Sequence, residues 1–255
     1  MNSLAHAAGG RRARPKRGPG VVSVLGELFL TAGVICFLFI GWQLWLNDII
    51  VGDEQRRNAL EAIEQWDTPP PAAEGEEVDP EGDPPTLTAP EHGVGFAAIY
   101  IPRFGPNYVR MIAEGVDLPT VLNKKELGVG HYPGTQMPGE LGNFALAGHR
   151  TTWGAPFRET ATLQLGDKVY VKTPEAWYTY VYRTTEYVWP SGVGVIDPVP
   201  QVVGGTAEDR FLTITSCHPL FSAAERIIAY TVMESWQPAA AGMPEELAAV
   251  FESES

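Results

Sequence analysis

The sequence predicts a mainly β domain, a mostly antiparallel barrel or sandwich with few helices, carried behind one N-terminal transmembrane helix. Three observations predict it. An apolar run long enough to cross a bilayer lies within the first fifty residues, and a tract rich in proline and acid follows it. The stretch from 94 to 236 then holds successive runs of β-forming residues separated by turn signals.

At 255 residues the chain has room for one good-sized domain with appendages. Its parts divide as a basic tail at 1–20, an anchor at 21–46, a helix and spacer at 47–93, the folded domain at 94–236 and a tail at 237–255. Arg11, Arg12, Arg14, Lys16 and Arg17 precede the apolar run that starts at Val21. From Leu28 to Leu46 only Thr31 and Gln43 are distinctly polar. That length of helix, at about 1.5 Å per residue, spans roughly 28 Å, close to a hydrocarbon core. Trp42 and Trp45 stand at its far end, where interfacial aromatics belong. Glu27 sits near the basic end, where it can snorkel to the interface. No small-residue cleavage site follows the run, so it reads as an uncleaved anchor and not a signal peptide. Basic residues are more numerous before the helix than after it, where Arg56 and Arg57 lie, so the N-terminus is expected in the cytoplasm and the rest outside.

Beyond the anchor, Glu54 to Trp66 has a helical rhythm, with Leu60, Ile63 and Trp66 spaced for one face. Asp67 to Glu91 carries acids without a single base, and prolines recur from Pro69 to Pro90. Such a stretch buries too little to fold alone and reads as a semi-rigid spacer. The net charge of −13, concentrated in the flanks of the central domain, argues against nucleic acid as a partner.

In the domain, strands are expected at Phe96–Ile101, Tyr108–Ala113, Asn143–Gly148, Lys168–Thr173, Trp177–Glu186, Phe211–Ser216 and Ile227–Glu234. Alternation such as Lys168-Val-Tyr-Val-Lys suits a sheet with one buried face. Residues Pro119 to Leu127 suggest a short helix, and another can begin at Pro244 in the tail.

Only two cysteines are present, Cys36 and Cys217, so there is no disulfide framework. Cys36 lies in the anchor. Cys217 ends an apolar strand just before Pro219, at a strand tip where the chain turns. A buried inert thiol is the common fate of a lone cysteine. An unpaired thiol outside the cell is open to oxidation, however, and nucleophilic catalysis accounts for keeping one. His149 ends the strand 143–148 behind the small Ala147 and Gly148, and is the candidate proton-transfer partner. His218 is adjacent in sequence but aimed at the opposite face; His131 falls in a Gly/Pro-rich loop. Arg226 opens the last strand, where a returning loop sets it beside Cys217 as a candidate oxyanion stabiliser. Arg150 and Arg210 are further candidates by residue type alone. No His/Cys/Asp cluster has metal-ligand spacing, and Gly192-Val-Gly194 lacks a phosphate-binding fingerprint.

Together these residues resemble a known family. Thr213-Ile-Thr-Ser-Cys217 is similar to the T-L-x-T-C signature of sortases, Ala147-Gly-His149 to their histidine segment, and Glu225-Arg226-Ile to their arginine strand. The stretch from His131-Tyr-Pro-Gly-Thr to Gly148-His-Arg-Thr-Thr, with Cys217-His-Pro, most resembles class E sortases of high-GC Gram-positive bacteria. Ile214 and Ser216 depart from the usual Leu and Thr without touching the reactive groups. The resemblance implies an eight-stranded β-barrel and a cysteine transpeptidase acting at the cell surface. Secreted proteins with a C-terminal sorting signal, Leu-Ala-x-Thr-Gly-like or Leu-Pro-x-Thr-Gly-like, would be cut between Thr and Gly through a Cys217 thioester. A cell-wall peptide or lipid-linked precursor would supply the accepting amine. No metal or organic cofactor is needed for these steps. Tyr132 and Thr215 are candidate substrate-binding residues. Two other readings make different demands. An L,D-transpeptidase would show a His-Gly-Cys-type loop, which Ser216-Cys217-His218 does not match, and an anchored binding module would leave Cys217 buried with His149 and Arg226 apart.

Overall fold

A computed structural model describes residues 20–67 and 82–252. The basic tail, residues 68–81 of the spacer and the last three residues lie outside the described part, as does the side chain of Trp45 with its expected interfacial place. The first apolar segment forms helix α1, Val21–Gly41, long and apolar enough to cross a membrane and with no side chain buried in protein. That exposure is wrong for the core helix of a soluble domain and right for one solvated by lipid.

After a π-helical turn at Trp42–Leu46 comes α2, Asn47–Asp67. Its buried stripe is Val51, Gln55, Ala59 and Ile63, four residues apart and hence stacked on one face. Leu60, expected on that face, is exposed, because one residue beyond Ala59 it is turned about 100° from the stripe; Trp66 is partly buried.

The central domain is a closed barrel of eight strands: β1 (Gly95–Tyr100), β2 (Val109–Glu114), β3 (Val129–His131), β4 (Gly142–Gly148), β5 (Lys168–Lys172), β6 (Ala176–Val188), β7 (Arg210–His218) and β8 (Glu225–Pro238). Their order around the barrel is β1-β2-β3-β4-β7-β8-β6-β5. Only the β2–β3 and β4–β7 pairings are parallel. Seven of these strands match the expected runs. The additional one, β3, is Val-Gly-His, too short to show alternation, and it takes His131 out of the loop expected for it and into the barrel wall. The helix expected over Pro119–Leu127 is a π-helical turn at Leu118–Leu122, begun by Asp117, whose carboxylate accepts the Thr120 N–H at 2.9 Å.

Side chains alternate across each strand, so every strand serves two layers. Phe144 and Leu146 of β4, Val169 and Val171 of β5, Tyr178 and Tyr180 of β6, and Leu212 and Ile214 of β7 fill the interior. The outer face of β1, β2 and β5 is covered in turn. Ala59 and Ile63 of α2 and Leu247 of α3 (Glu245–Glu252) pack there against Tyr100, Met111, Tyr170 and Trp177. The C-terminal helix expected after Pro244 is thus docked on the barrel. At the end of α2, Asp67 pairs at 3.0 Å with the almost fully buried Lys172. The close of the acidic tract also lies on the barrel. Pro85 O accepts from Tyr178 Oη at 2.5 Å, and Asp83 pairs with Arg210 at 2.7 Å.

Candidate active site

Three strand ends meet at one rim. Leu212 and Ile214 of β7 face the interior, so by alternation Thr213, Thr215 and Cys217 face outward. Cys217 is a free thiol, half-buried. Its antiparallel neighbour on β8 is Arg226. Directly opposed residues in such a pair have Cβ atoms about 5 Å apart, so guanidinium and sulfur share one patch of surface. On the other side of β7 the parallel partner is β4, where Ala147 pairs with Thr215. Carried two residues further, that register sets His149 level with Cys217 and on the same outward face. A binding module with a buried thiol and scattered His149 and Arg226 is not what the chain folds into.

His149 is half-buried, and its Nε2 donates to Asn123 Oδ1 at 2.8 Å. An amide oxygen can only accept, so neutral His149 carries its proton on Nε2 and leaves the Nδ1 lone pair free for proton transfer. Burial pushes the imidazole below its ordinary range, and the Asp48 carboxylate partly opposes this. The π-helical turn supplies Asn123. Val121 and Leu122 of that turn bury themselves against Ala113 and Ala147 on the outer face of the barrel, which fixes the residue that follows them. Arg226 Nη1 donates to Ala223 O at 3.0 Å and to Glu225 O at 2.9 Å, which anchors one edge of the guanidinium and leaves its other N–H groups for a ligand.

Thr215 lies one outward position before the thiol, and its Oγ1 is 3.1 Å from Tyr132 Oη. Tyr132, the residue after β3, packs with Ala147 and Val121. Tyr132 and Thr215, the two candidate substrate-binding residues, are therefore in contact beside Cys217. His131 points the other way, into the core, with Nδ1 2.6 Å from Glu114 and its ring against Phe144. Arg210 sits at the far end of β7, bonded to Gly139 O at 2.7 Å.

Two contributors were hidden from sequence reasoning. Asn123 lies 26 residues before His149 and gives no signal of its own. Arg150 was noted only by type. It is buried and donates from Nη1 to His218 Nδ1 at 2.8 Å and towards Cys217 O at 3.5 Å, while its Nε reaches Arg158 O at 3.2 Å. A buried guanidinium held by neutral acceptors ties the β4 exit to the β7 tip. Adjacency to His149 was the one available clue. Among the described residues no group of three or more His, Cys, Asp and Glu is placed to hold a metal ion.

Known proteins fit this arrangement. The sortase domain family matches residues 99–234. The chain is 34% identical to Sortase SrtE1 of Streptomyces coelicolor over 247 residues, 93% of this chain and 65% of that protein, so it spans just under two thirds of that relative's length. Sortase E from Streptomyces avermitilis is 40% identical, with a TM-score of 0.55 over 62% of this chain and 99% of that one. Sortase E1 from Streptomyces coelicolor, solved with a tripeptide in the active site, is 38% identical, with a TM-score of 0.56 over 61% of this chain and 97% of that one. With its closed eight-stranded barrel and a family match over more than half its length, the chain belongs to the sortase family.

Proposed function

We propose that this chain is a membrane-anchored cell-surface transpeptidase with Cys217 as nucleophile, His149 as proton-transfer group and Arg226 as oxyanion stabiliser. The observation that carries the reading is the placement of Cys217 opposite Arg226 and, by strand register, level with His149. The Cys217 thiol gives its proton to His149 as the sulfur attacks the Thr carbonyl carbon of a sorting signal, and Arg226 donates to the oxygen as negative charge develops. The C–N bond to Gly breaks as His149 hands a proton to the leaving amine, and a thioester remains. A cell-wall peptide or lipid-linked amine then attacks the thioester. It gives its proton to His149, which returns it to the sulfur as the C–S bond breaks, and the enzyme is restored. All of these steps use side chains of this chain.

The signal is of the Leu-Ala-x-Thr-Gly or Leu-Pro-x-Thr-Gly kind. Tyr132 and Thr215, beside the thiol, are placed to read the residues before Thr. Helix α1 anchors the protein with the basic tail in the cytoplasm and the barrel outside, as its basic flank supports. The single apolar helix fits a membrane anchor of the sortase kind.

The test uses the full chain in detergent micelles, mixed with each peptide with and without an added amine and followed by intact mass. A thioester adduct, and a peptide–amine product when amine is present, both lost in Cys217→Ala, is the expected result. Folded protein that forms neither with either peptide would overturn the reading.

A further inference from the structure

The chain leaves His149 through a segment of unusual shape. Thr152, Trp153, Gly154 and Ala155 have φ of 64°, 53°, 79° and 41°. Four consecutive residues thus lie in the left-handed region, three of them carrying a Cβ that disfavours it. Such a run persists only where its surroundings over-determine it. Inside the segment, Ala155 N–H donates to Thr152 O at 2.8 Å and Phe157 N–H to His149 O at 3.0 Å.

From the barrel, Tyr108 Oη donates to Pro156 O at 2.7 Å and Phe157 is buried in the core. Further restraints come from α2, about a hundred residues away in sequence. Asp48 Oδ2 accepts the Thr152 N–H at 3.0 Å and pairs with Arg158 Nη2 at 2.7 Å. Gln55, fully buried, donates from Nε2 to Trp153 O at 3.0 Å. Its side chain is threaded between two glycines. A Cβ added at Gly154 would come within 2.7 Å of Gln55 Oε1, and one at Gly128, the residue before β3, within 2.3 Å of Gln55 Nε2. The helix itself runs alongside, since a Cβ on Gly52 would lie at ordinary contact distance, 3.5 Å, from Gly154 O. The restraint then passes onward. Arg158 O accepts from Arg150, and Arg150 reaches His218 and Cys217 O.

Burial of α2 alone does not call for these polar groups. Val51, Ala59 and Ile63 supply an apolar stripe. Asp48 is 93% removed from solvent, and its Oδ1 has no hydrogen-bond partner among the described residues. Placing a carboxylate there is costly unless its pairing does something for the structure. What it holds is the segment that follows His149 and Arg150 and that ends at Arg158, whose carbonyl accepts from Arg150.

We propose that α2 is a working part of the active site, with Asp48 and Gln55 as positioning residues that hold the 150–158 segment and so keep His149 and Arg150 in place around Cys217. The inference rests on the transpeptidase reading. On it, the helix that follows the anchor is a clamp on the active-site loop, and a barrel shorn of α2 has a slack histidine segment.

Two readouts on the full chain in detergent micelles test it, one of them independent of activity. Hydrogen exchange is measured over a peptide covering 150–158, and thioester formation and transfer are followed at varied peptide concentration. Asp48→Ala and Gln55→Ala are each expected to speed exchange in this segment by about tenfold or more. Each should lower kcat by about 10- to 100-fold, the scale of a small displacement of reacting groups, with KM within about twofold. Asp48→Asn keeps an oxygen for the Thr152 N–H and is expected to recover most of the Asp48→Ala loss, which a general loosening of the fold would not do. Unchanged exchange in both alanine variants overturns the proposal, and so does faster exchange with kcat unchanged. If Asp48→Ala loses its cooperative melt, Gln55→Ala decides. If wild-type protein forms no thioester, the functional reading fails and the catalytic role of α2 with it, while the exchange arm still shows whether α2 holds the segment.

Discussion

Asn123 Oδ1 accepts a hydrogen bond from His149 Nε2 at 2.8 Å, joining a surface turn to the imidazole beside the thiol. The bond assigns the proton of the neutral ring to Nε2 and frees Nδ1 for exchange with the reacting atoms. Asn123→Ala removes the orienting group while leaving the packing of Val121 and Leu122. Steady-state kinetics are expected to show kcat lowered about tenfold or more with little change in KM, since the ring then samples other orientations.

Arg226 stands opposite Cys217 with one edge tied to backbone carbonyls. Arg226→Ala is expected to lower the rate of thioester formation by about 10²- to 10³-fold, the range for losing one oxyanion donor. Arg226→Lys should restore little, because an ammonium cannot keep both backbone contacts and still present a planar fork to the oxyanion. Single-turnover mass spectrometry separates this effect from peptide binding.

The Tyr132–Thr215 contact borders the place where a signal peptide would lie. Tyr132→Phe deletes the hydroxyl alone, and a hydrogen bond of this kind is worth about 1 kcal/mol. The expected outcome is a several-fold change in kcat/KM, of different size for Leu-Ala and Leu-Pro peptides. An equal change for both peptides would remove Tyr132 from the reading of that position.

Burial holds the imidazole of His149 below its ordinary range in the folded protein. The unfolded chain then binds the proton more readily than the folded one. The contribution of His149 to stability is complete above about pH 6.5 and is lost as pH falls from there towards the lower native value. His149→Gln, which does not titrate, is expected to show a shallower loss of melting temperature than wild type between about pH 7 and pH 5. Parallel melting curves across that window would mean that the ring is not penalised by its surroundings.

Much of this was legible in the sequence because period-2 alternation and turn residues survive in strands such as Lys168–Lys172 and Phe211–Ser216. Cys217, His149 and Arg226 could be read because each stands where such a pattern stops or starts. Strand β3 could not, since Val129-Gly130-His131 is shorter than the alternation that would reveal it. Asn123, Arg150 and Asp48 were beyond reach for another reason. Each acts through a fold contact with a segment distant in sequence; Arg150 stands within the Gly148-His-Arg-Thr-Thr stretch, but only the fold shows its bonds to His218 and Cys217 O. The role of α2 was misjudged on composition. Its contact stripe contains Gln55 and begins beside Asp48, so a search for apolar spacing selected the exposed Leu60 in their place.

The parallel pairing of β4 with β7 governs what is free to vary around this centre. Because the two strands run the same way and β6 and β8 meet them at the same rim, His149, Cys217 and Arg226 all sit on or next to hydrogen-bonded backbone. Of the segments that leave that rim, 150–158 is held by α2 and 219–224 carries the Ala223 carbonyl that anchors Arg226, whereas 189–209 is the long connection from β6 to β7. Loops accept insertion and exchange far more readily than ladders do. His149, Cys217 and Arg226 are thus built into the frame, while the stretch 189–209 beside it is open to exchange. On the proposed transpeptidase reading, exchanging the stretch 189–209 is expected to change peptide preference while the sulfur stays where β7 sets it.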